Sequence, residues 1–449
     1  MSLIDRYGTR RELPAQLDLP PGSRLPKAVQ TVLFLTKGPF ISPRWQRRFG
    51  DVFSMDIAPA GRSVVLSRPE HVREIFAGAA DTFHAGEGNA ILGPIMGEHS
   101  VLLLDEEEHR LSRKRIMAAF HGETLQGWSE VVERIAADDV ATWPTGQPVG
   151  VHQHMNDVSL EVILRVVFGL SAGERLDALR PRLQQLVRVG PMIFVGWLFP
   201  RLQAIGPWRR FARLKDDVDR LLYTEIAERR TAADLGERTD VLSKLLHAAP
   251  EQSDAELRDH LVTLLLAGHE TTASTLAWTL HDLARRPELL ARVQRAADEG
   301  DDAYLEATVK ESMRLRPVIR NIARRLAKPA RVAGYDLPAG VMIFPSIALV
   351  HQRADVWDEP AEFRPERFLG ASPPPATWIP FGGGLRRCLG AGLASVEAIA
   401  VLKTVLRSVD LAPVGRPERH KARNVTIVPA RGARLVTYRR SRAGSPAIG

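Results

Sequence analysis

The stretch FGGGLRRCLG, from Phe381 to Gly390, decides how this sequence is interpreted. Its three consecutive glycines allow tight turns and positive φ angles that a strand could not use. The loop delivers Cys388, the only cysteine in the chain, just ahead of a predicted helix, whose free N–H groups and dipole stabilise a thiolate. Arg386 and Arg387 add positive charge beside it. Such a thiolate could bind a metal or act as a nucleophile, although a lone cysteine is more often an inert part of the core.

The spacing Phe-x-x-Gly-x-Arg-x-Cys-x-Gly fixes enough positions that a chance match in a chain of this length is rarer than about one in a thousand. At every fixed position it resembles the heme-binding loop of the cytochrome P-450 family. The resemblance implies that Cys388 is the axial ligand of the iron in heme b (iron protoporphyrin IX) and that Arg386 contacts a heme propionate. It also implies that Phe381, Gly382 and Gly390 lie against the cofactor. A thiolate ligand favours O–O cleavage, which agrees with the chemistry of that family.

A second constellation, AGHETT, begins at Ala267 within a helix predicted over residues 253–286. This helix is apolar nearly all round, which is typical of a buried helix. Burial of an acid and a hydroxyl in its middle costs free energy, so we look for a function or a contact that explains it. The hydroxyl of Thr271 can bond the carbonyl of Ala267, and Gly268 leaves room beside it. The alternative is a threonine that bonds its own helix harmlessly and a Glu270 that reaches solvent. The family resemblance assigns Glu270 and Thr271 to proton delivery onto dioxygen, and it places Ala267 and Gly268 beside the heme.

A third group contains Glu311 and Arg314, which share a helix face at spacing i, i+3. Alone, such a pair is usually a solvated ion pair of little energetic worth. The segment FRPERF, residues 363–368, resembles a family motif whose arginine joins the helical pair in a buried network. The resemblance therefore predicts a structural network of Glu311, Arg314 and Arg367 that supports the heme loop.

Further basic residues are candidates for the heme propionates. His109 and Arg113, at spacing i, i+4, can point at one anion, although an exposed charged helix face gives the same pattern. The resemblance favours a propionate. It also suggests Arg324 for this role, ten residues before the glycine of GYDLPAG, and the adjacent Arg325 leaves that register open by one residue.

The fold class predicted is mainly α with a smaller β part. By resemblance it is the cytochrome P-450 fold, with a long central helix over the heme and the cysteine loop on the proximal side. We expect one domain over residues 1–449, an irregular Pro-rich lead-in at residues 1–30 and a disordered tail at residues 440–449. We also expect strands at residues 52–57 and 63–66 and a C-terminal hairpin around Asn424 to Val436. The apolar loop PMIFVGWLFP, residues 191–200, is a candidate pocket lid or a buried loop.

Composition limits the partners. The formal net charge is +8, but the basic residues are scattered and no zinc-finger, homeodomain or RNA-binding signature accompanies them, so we expect no nucleic acid. Apolar runs fall well short of the ~20 residues of a membrane span, so we expect no membrane anchor. A single cysteine fits a reducing cytoplasm. We expect a cytoplasmic monomer.

The electrons must come from another protein, because no flavin- or nicotinamide-binding glycine fingerprint follows a predicted strand. By resemblance to bacterial members of the family, we expect a separate ferredoxin and ferredoxin reductase that draw ultimately on NAD(P)H. Arg386 and Arg387 suit the docking of an acidic ferredoxin.

The reaction expected is monooxygenation of a hydrophobic small molecule: a terpenoid, lipid, steroid or polyketide-like compound. A peroxygenase or isomerase on the same fold is an alternative, and so is a non-enzymatic heme carrier or sensor. Arg320 could bind a substrate carboxylate or could face solvent. By resemblance, the substrate pocket is lined by Leu264, Ala267, Ile319, Arg320, Asn321, Ile322 and Thr426.

Overall fold

The computed structural model describes residues 18–120, 124–169, 174–187, 205–370, 372–423 and 425–440. The candidate lid at residues 191–200 lies outside them, as do residues 441–449 of the predicted tail. The described chain is mainly helical with a smaller β part. Its α-helices are α1 (Lys27–Phe49), α2 (Pro69–Ala77), α3 (Ala85–Gly88), α4 (Gly93–Met96), α5 (Glu106–Phe120), α6 (Thr124–Ala141), α7 (Val151–Phe168), α8 (Glu174–Val187), α9 (Gly206–Arg230), α10 (Val241–Ala248), α11 (Asp254–Leu283), α12 (Pro287–Glu299), α13 (Asp302–Leu315), α14 (Ile347–Val350) and α15 (Ala391–Ser408).

The central helix is α11, as predicted. Ser253 caps it in a capping box: its hydroxyl accepts from the N–H of Glu256, while the Glu256 carboxylate accepts from the N–H of Ser253. The helix packs most extensively against α7, and it also contacts α9, α13 and α15. Because neighbours cover it on several sides, it buries almost its whole surface.

That burial is interrupted at one place. Between Leu257 and Leu283, the residues that are not buried are Leu266, Ala267, Gly268 and Thr271. Ala267 is exposed although it lies in the middle of the core helix. The fold therefore leaves an opening beside the centre of α11.

The strands form small sheets around this helical body. They are β1 (Val52–Ile57), β2 (Gly61–Leu66), β3 (Phe83–His84), β4 (Pro148–Gly150), β5 (Arg324–Leu326), β6 (Ala330–Val332), β7 (Tyr335–Leu337), β8 (Met342–Pro345), β9 (Val409–Pro413), β10 (His420–Arg423), β11 (Thr426–Pro429) and β12 (Arg434–Arg439). The largest sheet has the order β1-β2-β8-β5-β3. Strands β2 and β8 in it are parallel, and the other pairs are antiparallel.

The predicted C-terminal hairpin from Asn424 to Val436 is wrong. Strand β11 pairs with β10, which precedes it, whereas β12 pairs with β9 and β4 in a different sheet. Positive φ angles of 81° at Gly432 and 52° at Ala433 redirect the chain between the two sheets. Alternating hydrophobicity identifies strands but does not say which neighbour each one pairs with.

The N-terminal lead-in is shorter than predicted, because α1 begins at Lys27. Pro26 stands at the N-cap, where its missing N–H costs no helical hydrogen bond. Within the described residues, no helix is both long enough and apolar enough to cross a membrane. The prediction of a single domain over the whole chain stays a prediction.

Candidate active site

The cysteine loop is pressed against helix α2. Gly382 and Gly384 have positive φ angles of 66° and 62°, which residues with side chains adopt at a cost. A Cβ atom at Gly384 would lie 2.1 Å from the carbonyl oxygen of Phe76, and one at Gly383 would lie 2.3 Å from the Phe76 ring. The glycine run is therefore required both by backbone conformation and by close approach to α2.

Cys388 lies at the end of this loop, just before α15. Its N–H donates to the carbonyl of Phe381 over 2.9 Å, which closes the loop. The residue is accessible, yet protein surrounds it closely enough that burial raises the pKa of the thiol. The N–H of Gly390 and the charges of Arg113 and Arg387 oppose that effect. An accessible sulfur in a protein-lined recess suits a metal ligand.

The basic residues that were predicted to bind the propionates lie close together in the folded chain, so that the charges of the arginines affect the pKa of His109. His109 is only 6% exposed. Burial, together with the charges of Arg386, Arg113 and Arg324, lowers the pKa of His109 to about 3, so its ring is neutral at physiological pH. The group is strongly electropositive and therefore suits bound carboxylates.

Of the two adjacent arginines, Arg324 is the one that lies close to Arg386 and His109. Burial and the charge of Arg386 lower the pKa of Arg324 to about 10. Arg325 instead donates to the carbonyl of Gly340 over 2.9 Å, on the other side of the strand. Arg324 is therefore the propionate candidate, as the sequence analysis proposed.

Arg386 has a protein partner that the sequence analysis missed. Its Nη2 lies 2.6 Å from Oδ1 of Asp105, and its guanidinium also donates to the carbonyls of Leu104 and Val101. The one available signal was the position of Asp105 at the start of a helix. Because the guanidinium of Arg386 is paired with Asp105, Arg387 is the more exposed cation of the two, and the prediction that both serve docking stays a prediction.

The opening in α11 exposes Ala267 and part of Thr271. Oγ1 of Thr271 donates to the carbonyl of Ala267 over 2.8 Å, as expected from their spacing. Leu264, one turn before Ala267, is 8% exposed on the same helix face. His269 points elsewhere: its Nδ1 lies 2.7 Å from the carbonyl oxygen of Leu265, and its side chain is buried. Ala267 and Thr271 thus face the opening together.

Gly268 also has a packing role that the sequence did not predict. A Cβ atom there would lie 2.8 Å from Cδ1 of Ile163 on α7, so the missing side chain accommodates a neighbouring helix. The expectation that this glycine leaves room beside Thr271 stays a prediction. Its physical role is the close packing of α11 on α7.

Glu270 is buried and does not reach solvent as the alternative interpretation required. Its Oε1 lies 3.3 Å from Nη1 of Arg423 on β10, and Thr426 on β11 also hydrogen-bonds the carboxylate. Burial raises the pKa of Glu270 to about 7, although these two partners lower it. Arg423 is a second residue that the sequence analysis missed, since nothing in its local pattern distinguishes it from the other scattered arginines.

The predicted structural network is present. Arg314 and Glu311 are both fully buried and form two hydrogen bonds of 2.7 and 2.8 Å. Nε of Arg367 lies 3.4 Å from Oε1 of Glu311, and the backbone N–H of Arg364 donates to the same oxygen over 2.8 Å. The remaining donors of Arg314 reach the carbonyls of His351, Pro360 and Glu362.

His351 connects this network to the cysteine loop. Its carbonyl accepts from Arg314, and its Nε2 accepts from the N–H of Ile379, two residues before Phe381. Burial and the charge of Arg314 lower the pKa of His351 to about 3, which keeps the ring neutral and able to accept. This residue was not predicted, because a single histidine after an apolar run carries no distinctive pattern.

The residues present fit a heme. No cluster of three or more His, Cys, Asp or Glu side chains among the described residues could hold a metal ion by itself. A metal bound by Cys388 therefore needs other ligands, which a porphyrin supplies. The electropositive group around His109 suits the propionates, and the opening at Ala267 and Thr271 gives access to the core.

Comparison with known proteins agrees with this chemistry. A model of the family described as cytochrome P-450 matches residues 20–435. The chain belongs to the cytochrome P-450 family. It is therefore a P-450 monooxygenase, an oxidoreductase, and the family implies a heme cofactor.

Relatives of this P-450 include mycobacterial proteins. It is 45% identical over 431 residues to the Mycobacterium tuberculosis protein described as "Putative cytochrome P-450 135A1", covering 94% of this chain and 96% of the relative. It is 36% identical over 447 residues to "Putative cytochrome P-450 137" of the same species, covering 96% and 94%. The solved structure described as "Retinoic acid bound cyanobacterial CYP120A1" matches with a TM-score of 0.83 at 24% identity, over 95% of this chain and 100% of that one.

The predicted pocket segment of this P-450 lies beside the cysteine loop. Ile319 and Ile322 pack against a small core cluster that includes Ile379. A Cβ atom at Gly382 would lie 3.6 Å from Cδ1 of Ile322. Between them, Asn321 forms an antiparallel bridge with Ser346, which fixes the backbone of the segment.

Arg320, in the same segment, is a half-buried cation. Burial alone lowers its pKa to about 10. Within the described residues it has no carboxylate partner, and its charge instead lowers the pKa of His420 on β10. The segment is anchored to β11, where the N–H of Ile427 donates to the carbonyl of Val318 over 2.8 Å.

Proposed function

We propose that this P-450 binds heme b and inserts one oxygen atom of dioxygen into a C–H bond of a hydrophobic small molecule. Two electrons and two protons are consumed, so that one oxygen atom enters the product as a hydroxyl and the other leaves as water. The observation that carries the proposal is the acid and hydroxyl pair in the centre of α11, where a buried acid is costly unless it has a task. A heme carrier would not require that pair.

Cys388 would supply the axial ligand of the heme, and the N–H of Gly390 would hold its sulfur in place. Arg386, Arg113 and Arg324 would neutralise the propionates, and the neutral ring of His109 would hydrogen-bond one of them, which would explain why these residues lie together. Bound in this position, the heme supplies the activation of dioxygen. Phe381, Gly382, Gly390, Ala267 and the backbone at Gly268 would lie against it.

Thr271 and Glu270 would deliver the protons. Thr271 faces the opening and can pass its hydroxyl proton there while it keeps its contact with the carbonyl of Ala267. Glu270, with a pKa of about 7, can both gain a proton from solvent and lose it near neutral pH. Arg423 and Thr426 would position the Glu270 carboxylate.

Electrons would come from NAD(P)H through a separate ferredoxin reductase and ferredoxin. The exposed Arg387, close to the cysteine, is the cation available to an acidic carrier. We further propose that the protein works as a monomer in the cytoplasm.

For the substrate, we propose a hydrophobic molecule that carries a carboxylate, held by Arg320. Arg320 is half-buried and has no carboxylate partner among the described residues, so its charge carries a desolvation cost. An anionic ligand would offset that cost. The cyanobacterial structure that shares this fold has retinoic acid bound, which is a hydrophobic molecule with a carboxylate. Ile319, Ile322 and Leu264 would contact its apolar part.

The monooxygenase reaction is tested with ¹⁸O₂. The purified enzyme, a ferredoxin system and dodecanoic acid as probe should give a product that contains one labelled oxygen atom. Label that comes from hydrogen peroxide and not from O₂ would indicate a peroxygenase. A rearranged product without added oxygen would indicate an isomerase.

The carboxylate preference is tested separately by the shift of the heme absorption band. Dodecanoic acid should bind more tightly than dodecanol, and Arg320→Gln should remove the difference by lowering the affinity for the acid alone. Arg331→Gln, a substitution of an arginine whose side chain is 71% exposed, should leave both affinities unchanged. An unchanged preference in Arg320→Gln would contradict the assignment of Arg320 without affecting the monooxygenase proposal.

A further inference from the structure

Helix α1 exposes an apolar face. Val29, Val32, Leu35 and Phe40 are 42%, 58%, 49% and 55% exposed, and Leu25, just before the helix, is 45% exposed. Val29, Val32 and Leu35 follow one another at steps of three residues, and Phe40 lies about three full turns after Val29, so these side chains share one side of the helix over about 17 Å. Single exposed apolar residues are ordinary, but a continuous row of them usually marks a contact surface.

The charge of the same helix is entirely positive. Helix α1 contains no aspartate or glutamate, and its basic residues are Lys27, Lys37, Arg44, Arg47 and Arg48. Lys27 lies 3.2 Å from Asp56. Lys37, Arg44 and Arg47 are exposed and have no acidic partner among the described residues. The helix thus combines an exposed apolar row with unneutralised cations.

The opposite face of α1 is fixed to the protein, so the apolar row cannot turn inward. Trp45 is buried and packs edge-on against Phe53 on β1, with ring centroids 6.4 Å apart. The Gln30 amide donates to the carbonyl of Leu25 over 2.7 Å and accepts from the N–H of Asp56 over 3.0 Å. These contacts hold the helix in one rotational orientation.

We infer that α1 docks on the surface of a lipid bilayer that contains anionic lipid. An amphipathic helix with a basic polar side lies in the interface plane, with its apolar side chains among the acyl chains and its cations at the headgroups. Charge complementarity selects this occupant, because a second copy of the chain would bring the same cations together. Docking would place the enzyme where hydrophobic molecules concentrate.

The inference is tested by sedimentation of the heme-loaded enzyme with vesicles of phosphatidylcholine, with and without about one third phosphatidylglycerol. The wild type should sediment with the anionic vesicles and should be released at about 0.5 M salt. The double variant Val32→Ser/Phe40→Ser should lose at least roughly tenfold in vesicle affinity, since two large apolar side chains no longer enter the interface. The double variant Lys37→Gln/Arg44→Gln should bind neutral and anionic vesicles equally weakly.

A matched control removes exposed apolar side chains elsewhere. Leu369 and Tyr438 are 41% and 49% exposed, and Leu369→Ser/Tyr438→Ser should bind vesicles as the wild type does. All variants should keep the wild-type heme spectrum and circular dichroism. Absence of wild-type sedimentation, or equal binding by the α1 variants, would overturn the inference. It would also be overturned if the α1 substitutions dissociated a dimer in vesicle-free equilibrium sedimentation, because a second copy would then cover this face.

Discussion

Nη1 of Arg423 lies 3.3 Å from Oε1 of Glu270, and this contact joins strand β10 to the middle of helix α11. The carboxylate is buried, and burial raises its pKa to about 7 in spite of the arginine. An acid with such a pKa exchanges protons readily near neutral pH, which is the condition for efficient general acid catalysis. The strand contact therefore tunes the group that we propose as the proton donor.

The first prediction concerns the pH dependence of product formation. If protonated Glu270 is required, the rate should fall as pH rises through about 7, and Glu270→Gln should lack that step. Arg423 favours the charged carboxylate, so Arg423→Gln should raise the pKa of Glu270 and move the step to higher pH. The measurement is product formed with excess ferredoxin, across about pH 6 to 9. Arg423→Lys, which keeps the charge, should keep the step near its wild-type position, and persistence of the step in Glu270→Gln would refute the role.

The second prediction concerns Glu397 on α15, whose side chain is fully buried and is hydrogen-bonded by Ser159 on α7. Burial raises the pKa of Glu397 from 4.5 to about 8. Because the folded-state pKa lies above the unfolded one, the charged form is penalised in the folded state, and stability is lost as pH rises from about 4.5 to 8. Glu397→Gln should remove this loss, which is of order 3 kcal/mol at neutral pH.

Urea unfolding at several pH values measures this effect. The free energy of unfolding of Glu397→Gln, relative to the wild type, should rise between about pH 5 and pH 8. The exposed-site variant Glu70→Gln should run parallel to the wild type over the same range. Parallel curves for Glu397→Gln as well would show that Glu397 does not titrate in this window.

Local contacts were predictable from the sequence. The capping box at Ser253, the hydroxyl contact of Thr271 and the pair of Glu311 and Arg314 all involve residues three or four positions apart. At that spacing, helical geometry alone brings the side chains together. The glycine run of the cysteine loop belongs to the same class, since positive φ is a property of single residues.

Distant contacts were not predictable. Arg423 and Glu270 are 153 positions apart, and Arg386 and Asp105 are 281 apart. Which arginine reaches which acid depends on tertiary packing, and the chain offers many scattered arginines. The C-terminal hairpin was predicted wrongly for the same reason, since the partner of each strand depends on tertiary packing and not on the local sequence pattern.

The third prediction concerns the buried network. Glu311→Ala leaves the guanidinium of Arg314 buried without its carboxylate, so it should cost about 3–5 kcal/mol of folding stability. Because His351 carries the network to the cysteine loop, heme content should fall as well. Arg364→Ala is the control: that side chain is exposed and pairs with Asp358 and Glu359 at the surface, so its loss should cost less than about 1 kcal/mol. Thermal unfolding measures the stability, and the heme-to-protein absorbance ratio measures the heme content. Equal effects of the two variants would contradict the structural role of the network.

The fourth prediction concerns Gly268, where a role in helix packing and a role in an oxygen-binding groove predict different effects of a substitution. A Cβ atom there would meet Cδ1 of Ile163 at 2.8 Å, so Gly268→Ala should cost about 1–3 kcal/mol by overpacking. Ile163→Ala removes that atom and also Cγ1, which the same Cβ would meet at 2.9 Å, so the double variant should be more stable than the sum of the two single effects allows. Gly127→Ala, at a helical glycine with nothing within 4 Å, should be neutral or slightly stabilising. Urea unfolding of the four proteins and the wild type measures the coupling. If Gly268→Ala instead leaves stability unchanged and weakens carbon monoxide binding to the reduced enzyme, Gly268 belongs to the oxygen site and not to the contact between α11 and α7.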